Sequence, residues 1–289
     1  MIERRTHDRT TVGDLLDGLD HWPHPERVAS ALHQGDLGWH LRLEDAAIQD
    51  DAFVGWWEGD VLLAAGLVEG VLGRFAVRPG HDRDPDLGEH VAQVCRDLPA
   101  DTEVYVDLRP ETATRRILAG EGWTLDPDPW VALHTDLARW QPPVDLDGCR
   151  VVEAADAVPD RVAVQRSGFE RSTFTEEAWA RLVDGPGYRR DLDLVLVDGG
   201  GVPVSIATAW WAGTGATAIL EPVASHRDHR GRGWGVRVVT ALLVRLRDLG
   251  ASGVTVCTPL EYVGAVATYR AAGLHEVEHL RSLVRPATP

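Results

Sequence analysis

Long apolar runs are missing from this chain. No window approaches the roughly 20 continuous apolar residues of a membrane-spanning helix, so no such helix is expected. The opening residues, Met1-Ile2-Glu3-Arg4-Arg5, lead into polar sequence without the apolar core of a secretory signal. Cysteine is scarce. Cys95, Cys149 and Cys257 are widely spaced and odd in number, which argues against a disulfide framework and suits a reducing compartment. These absences make the cytoplasm the expected location. Positive charge is also short, with 29 basic against 45 acidic residues and a net charge of −16. A surface of that sign repels phosphate backbones and anionic lipid, so neither nucleic acid nor a membrane is an expected partner. Lysine is absent altogether, all the basic residues being arginine. A GC-rich coding bias would give the same result, so this absence assigns no function.

Apolar residues at 44% and charged residues at 26% describe a globular domain composition. The length of 289 residues accommodates one large or two ordinary domains. Charge is uneven: residues 1–140 hold 27 of the 45 acidic and 13 of the 29 basic side chains. Helices are expected over 11–19 and 26–34, the second stopped by Gly35, and a strand meander over 52–57, 61–68 and 72–77. A helix over 88–98, a strand over 104–108, a helix over 111–119 and a closing strand over 130–137 complete the first half. Trp140-Gln141-Pro142-Pro143 reads as a linker. The second half repeats the order: strand 149–153, helices 158–169 and 175–183, strands 192–197, 204–211 and 216–223, helix 236–249, strand 254–257, helix 263–271 and one terminal strand over 275–284. The match of element order indicates an internal repeat of one α/β (α+β) domain, with units over 1–140 and 141–289.

The most informative stretch is Ser225-His226-Arg227-Asp228-His229-Arg230-Gly231-Arg232-Gly233-Trp234-Gly235, set between an apolar strand and a helical pattern. Glycines let backbone approach an anion, and the helix N-terminus offers free N–H groups and partial positive charge. A plain strand-to-helix turn needs one glycine, and this one has three. A dinucleotide fingerprint is disfavoured, because its third glycine would fall at Val236. A nucleotide-hydrolase loop is excluded, because no Lys-Ser/Thr pair follows. His226-x-x-His229 lacks a third ligand nearby and has arginine neighbours, so no metal is expected.

Arg230-Gly231-Arg232-Gly233-Trp234-Gly235 resembles the Arg/Gln-x-x-Gly-x-Gly/Ala motif of the GNAT superfamily of acetyltransferases, and Ala265-x-x-x-Tyr269-x-x-x-Gly273-Leu274 resembles its second signature. The resemblance is strong over 150–285 and rests on element order alone over 1–140. It implies two tandem GNAT-like domains, each a mixed, mainly antiparallel twisted sheet flanked by helices. It implies acetyl-CoA as co-substrate, its pyrophosphate held by the backbone of Gly231, Arg232, Gly233, Trp234 and Gly235 with charge from Arg230 and Arg232. The pantetheine arm would meet backbone near Val223 and Ser225, where two strands splay. Trp234 is unusual at its position and is expected to pack. Tyr262 stands where the family often has asparagine.

The same resemblance makes Tyr269 the acid that protonates the departing thiolate, against the alternative of a tyrosine merely packed on a helix face. Glu221, a lone carboxylate in the apolar run 218–223, is the candidate base, with Glu261 and His226 as fallbacks and a solvent-facing role as the alternative. Phe169, Phe174 and Trp179 fall where the family places acceptor-site helices, with core packing the favoured alternative for each singly. One tryptophan of each pair, Trp56-Trp57 and Trp210-Trp211, could line the acceptor cleft. The first half has His81-Asp82-Arg83-Asp84-Pro85-Asp86-Leu87-Gly88 in place of the cradle and Leu118 in place of the tyrosine. It reads as a degenerate repeat that completes the acceptor pocket or masks a sheet edge. The implied activity is transfer of acetyl to a small-molecule amine by a monomer or homodimer. Tandem architecture with an active second half is similar to mycothiol synthase, which makes a cysteinyl-sugar amine one alternative acceptor. A non-catalytic acyl-CoA sensor or scaffold is the alternative of another class.

Overall fold

Near-continuous buried runs set the strands over 53–58 and 61–69, and turns at Gly59 and Gly70 join the meander over 53–77. The computed structural model describes residues 1–22, 31–146 and 148–287. The first half runs β1 (Glu3–His7), α1 (Val12–Asp20), α2 (Gln34–His40), β2 (Phe53–Glu58), β3 (Val61–Glu69), β4 (Leu72–Val77), α3 (Pro85–Arg96), β5 (Val104–Asp107), α4 (Ala113–Gly120), β6 (Thr124–Leu125) and β7 (Trp130–Asp136). The second runs β8 (Arg150–Glu153), α5 (Val158–Gly168), α6 (Glu176–Val183), β9 (Asp193–Val197), β10 (Pro203–Trp210), β11 (Thr217–Ser225), α7 (Trp234–Leu249), β12 (Gly253–Pro259), α8 (Val263–Ala271), β13 (His275–Leu280) and β14 (Leu283–Arg285). The β2–β3 hairpin turns at Glu58-Gly59-Asp60, where Gly59 takes the left-handed φ of 60° that the tight turn requires. The helix expected over 26–34 falls partly on residues 26–30, outside the described residues. The helix observed next to them is α2, so Gly35 lies inside it.

Among the described residues the strands form two seven-stranded sheets, ordered β1-β2-β3-β4-β5-β14-β6 and β13-β7-β12-β11-β10-β9-β8. Each is antiparallel except at one pair, β4–β5 in the first and β11–β12 in the second. The sheets do not divide at the linker. β7, read from sequence as the close of the first half, pairs with β12 and β13 in the second sheet. The expected single strand over 275–284 breaks at Arg281-Ser282, and β14 crosses to pair with β5 and β6. Burial explains the exchange. Val131 and Leu133 of β7 are fully buried in the second core, while Leu283 of β14 packs in the first. Each half thus supplies a strand to the other's sheet.

α2 joins the halves a second time. Its Gly35 and Gly38 lie flat on the indole of Trp210, where a Cβ at Gly38 would come within 2.3 Å of the ring. Turned so that its oxygen meets two N–H groups, the Gln34 amide accepts from Trp211 (3.1 Å) and Ala212 (2.6 Å). All four paired tryptophans are buried, Trp56 and Trp210 almost completely. The expectation that one of each pair lines an open cleft is therefore corrected: helices cover both faces of these strands. Gly38→Val should destabilise the protein by about 1–3 kcal/mol through overpacking. Gly13→Ala, where the added carbon meets nothing within 4 Å, should not; thermal unfolding of the two variants checks this.

Candidate active site

The glycine-rich turn folds as an open anion cradle. Gly231 and Gly233 adopt left-handed φ of 73° and 77°, a conformation that L side chains rarely take. Gly233 is the N-cap of α7 and offers no side chain, so no side-chain cap covers the N–H groups of the first turn. Arg230 donates to the Gly168 carbonyl (2.6 Å), and Arg227 N to Ser167 Oγ (3.0 Å), which ties the turn to the end of α5. Arg232 is exposed beside the cradle. Trp234 and Gly235 fall in the first turn of α7. Trp234 packs against the core with the Arg237 guanidinium 5.3 Å from its ring centroid. A Cβ at Gly235 would lie 3.0 Å from Thr268 of α8 and 3.3 Å from Ser225 Oγ, so cradle, β11 and α8 converge there. His226 and His229 meet edge to face, their ring centroids 5.4 Å apart.

The corresponding turn in the first half is closed. Asp84 caps α3, its carboxylate accepting from Asp86 N (3.0 Å) and Leu87 N (3.1 Å). A fixed carboxylate thus meets the helix N-terminus from within the chain. α4 abuts the same end: Ala113 N donates to the Asp82 carbonyl (2.6 Å), and a Cβ at Gly88 would lie 2.6 Å from that of Ala113. Leu118, at the position matching Tyr269, is fully buried.

Two backbone features shape the strand before the cradle. β11 and β12 pair only through 217–219 and 253–255, although β11 continues to Ser225. The strands therefore splay, and the edge of β11 at Val223 and Ser225 is open toward β12. On its other side β11 bulges: Ala207 pairs with Val223 and Ala209 with Leu220, so Glu221-Pro222 stand opposite Thr208 alone. Bulges bend a strand and re-aim side chains. Trp210 Nε1 fixes this one by donating to the Glu221 carbonyl (2.8 Å).

Glu221 is half-buried in a cavity of about 700 Å³ between the halves. Burial, then the nearby Asp36 carboxylate, pushes its pKa up to about 8, with Arg74 and Arg42 acting in the opposite sense. Asp36 is itself raised to about 6, mainly by burial. It belongs to a cluster around Arg74, whose guanidinium meets Glu69 at 2.6 Å, Asp107 at 3.7 Å and Asp36 at 3.9 Å. Tyr269 is buried in α8 and held well above the usual phenol range, by burial and then by Glu221. The structure thus brings the two candidate groups into one electrostatic neighbourhood. Cys257 is pushed up to about 12, chiefly by burial, so its thiol stays protonated and is a poor nucleophile at neutral pH. Of the fallback bases, Glu261 is exposed and His226 accepts from Asp228 N, 3.4 Å away.

Phe169 and Phe174 line the cavity as their sequence positions suggest. Trp179 instead donates to Asp193, 3.2 Å away, beneath it. Sequence reasoning missed Trp39, Arg42, Asp36 and Arg74, which reach the site from the first half. Nothing in their local pattern marks them: packing of α2 on Trp210 brings Trp39, Asp36 and Arg42 there, and Arg74 comes from β4.

Residues 160–274 match the profile of the acetyltransferase (GNAT) family. This segment, in the second half, is therefore similar to a GNAT acetyltransferase domain. Solved structures extend the GNAT likeness over both halves. A tandem GNAT protein from the clavulanic acid biosynthesis pathway has a TM-score of 0.63 at 18% identity, over 100% of this chain and 99% of that one. A GCN5-related N-acetyltransferase from Sphaerobacter thermophilus has a TM-score of 0.61 at 18% identity, over 100% and 96%. A GNAT-family acetyltransferase from Colwellia psychrerythraea has a TM-score of 0.62 at 13% identity, over 98% and 99%. At these identities the likeness is one of fold: two GNAT-like units in tandem. No curated protein sequence matches the chain. Among the described residues no helix is long and apolar enough to cross a membrane.

Proposed function

We propose that the protein is an acetyl-CoA-dependent N-acetyltransferase with one active site, in the second half, acting on a small-molecule amine. The observation that carries this reading is the contrast between the two cradles. The N-terminus of α7 is uncapped and built on two left-handed glycines, whereas that of α3 is capped by Asp84 and abutted by α4. An uncapped helix start beside a splayed strand edge suits a pyrophosphate and the amide-bearing arm that follows it. Gly231, Arg232, Gly233, Trp234 and Gly235 would hold the diphosphate through backbone N–H groups, and Val223 and Ser225 would meet the arm.

Acetyl-CoA supplies an acyl thioester. The chain's own residues handle the protons. Glu221, ionised above about pH 8, accepts the proton of the incoming ammonium. Tyr269 keeps its proton throughout the neutral range and donates it to the departing sulfur. The protonated Cys257 thiol favours direct transfer over a covalent relay. The first half closes the acceptor side with Trp39 and Arg42, which gives the degenerate repeat a role.

A thiol-release assay over a panel of amines tests this reading: release with at least one amine supports it. Acetyl-CoA binding without release on any amine would favour a sensor. The rate should rise with pH toward about 8 as Glu221 deprotonates, and Glu221→Gln should lose about 100-fold or more in kcat/KM. Stability should move the other way. Folded Glu221 holds its proton up to about 8, far above its ordinary 4.5. Over that window the folded state binds more protons, so this group's stabilisation is full below about pH 4.5 and lost as pH rises through about 8. Glu221→Gln should therefore raise Tm over the parent at pH 9 and leave it unchanged at pH 4.

A further inference from the structure

The cavity wall has a charge opposite to that of the protein. The chain carries −16, yet Arg42, Arg171 and Arg181 all line the space that ends at Glu221, with Glu44 as the other carboxylate. Two of these arginines meet no carboxylate at ion-pair distance among the described residues. Arg171 makes no hydrogen bond or ion pair among the described residues. Arg42 donates to the Trp39 carbonyl (2.8 Å) and lies 4.8 Å over the Trp39 ring, but meets no carboxylate at ion-pair distance among the described residues. Burial pushes its guanidinium downward, against the pull of Glu69 and Glu221. Arg181 donates to the Arg42 carbonyl (3.0 Å) and stands 3.9 Å from the exposed Glu44. Arg42 is half-buried, where a guanidinium without a counter-ion is unfavourable unless a ligand supplies one, whereas Arg171 is exposed at the cavity wall.

The rest of the wall is aromatic. Trp39 stacks on Phe174 with ring centroids 5.3 Å apart and planes 21° from parallel, and Phe169 is 43% exposed at the cavity rim. Arg42, Trp39 and Phe174 form one continuous stacked column drawn from both halves. A volume near 700 Å³ matches a small-molecule site. Such a wall offers an amine-handling carboxylate at one point, an apolar surface, and guanidinium forks suited to a carboxylate.

Resting on the acetyltransferase reading above, we propose that the acceptor is an amine that also carries a carboxylate on a ring-sized apolar body, the class of a large apolar amino acid. Its amine lies toward Glu221, its body against Trp39 and Phe174, and its carboxylate at Arg42 and Arg171. In the transfer, the acetyl carbon–sulfur bond breaks and an acetyl carbon–nitrogen bond forms. The incoming ammonium gives one proton to Glu221, the departing sulfur takes a proton from Tyr269, and the second nitrogen proton, lost as the amide forms, restores Tyr269, so no oxidant or reductant is needed.

The test compares phenylalanine with 2-phenylethylamine, which lacks only the carboxylate, using full-length protein and acetyl-CoA. Phenylalanine should have at least about a tenfold higher kcat/KM, and Arg171→Ala should lower that value about tenfold while changing 2-phenylethylamine less than about twofold. Arg171 is exposed and bonded to nothing among the described residues, so its removal should leave Tm unchanged. Thiol release with 2-phenylethylamine equal to or above that with phenylalanine would overturn the proposal and leave the acetyltransferase reading intact. So would an equal loss for both compounds in Arg171→Ala. If neither compound releases thiol, calorimetric titration of phenylalanine into the CoA-saturated protein decides. Binding weakened by Arg171→Ala supports the carboxylate site even though turnover fails, and no binding overturns it.

Discussion

Tyr269→Phe should lower kcat by about 100- to 1,000-fold and leave acetyl-CoA affinity within about twofold, the range expected for loss of one positioned general acid. The substitution removes one oxygen. The ring remains in the core of the second sheet beside Val266, Ala272 and Leu274, so the fold should not change. The hydroxyl makes no hydrogen bond among the described residues, so its removal leaves no partner unpaired. That separates the catalytic from the packing role. A purely packed tyrosine would tolerate phenylalanine with little loss of rate. Parallel losses in turnover and affinity would show that the hydroxyl serves binding, and its assignment as the acid would fall. Thiol release measured alongside calorimetric acetyl-CoA binding distinguishes these outcomes.

Arg161→Ala should destabilise the protein by about 3–5 kcal/mol, the usual penalty for breaking a buried ion pair. Arg161 and Asp193 are both fully buried, their closest atoms 2.9 Å apart. The pair is the centre of a network. Arg161 also bonds Gln165 and reaches Thr208 (3.2 Å), while Asp193 accepts from Thr208 (2.7 Å), Trp179 (3.2 Å) and Tyr188 (3.3 Å). Removing the guanidinium leaves the buried Asp193 carboxylate without its counter-charge. The loss should appear as a fall in Tm of about 10 °C, and the double variant Arg161→Met with Asp193→Leu should recover part of it. The network also underlies the acceptor cavity: Gln165 lines it, and Thr208 faces the Glu221-Pro222 bulge. A merely peripheral pair would give a change within about 1 kcal/mol, the range of surface ion pairs.

The parts of this architecture that were legible in the sequence depend on local chemistry. Gly231 and Gly233 mark the cradle because the backbone there must be left-handed, and Gly59 marks its hairpin for the same reason. Thr173 and Thr175 are both cap candidates ahead of Glu176 and Glu177, and it is Thr175 that starts α6, its hydroxyl accepting from Ala178 N (3.2 Å). Asp84-Pro85 sets the start of α3, three residues before the apolar periodicity of 88–98 suggests, because periodicity does not register a polar first turn. The strand exchange was not legible. A short apolar segment such as 130–136 carries the same pattern whichever sheet it joins, and only the free strand edges of the folded protein choose. The candidate site divides in the same way. Tyr269, Glu221 and the cradle sit in recognisable local patterns. Trp39, Asp36 and Arg42, on α2 or just past its end, owe their place to α2 lying on Trp210, a contact between residues about 170 positions apart in the chain, while Arg74 reaches the site from β4.

The number of acetyl-CoA molecules bound per chain tests the central claim most directly. Isothermal titration of the full chain should give one site, and Gly233→Asp should abolish it, because a carboxylate placed at the N-cap of α7 reproduces the closed arrangement of Asp84 at α3. A stoichiometry of two, or a single site that survives Gly233→Asp, would contradict a duplicated fold with one working cradle.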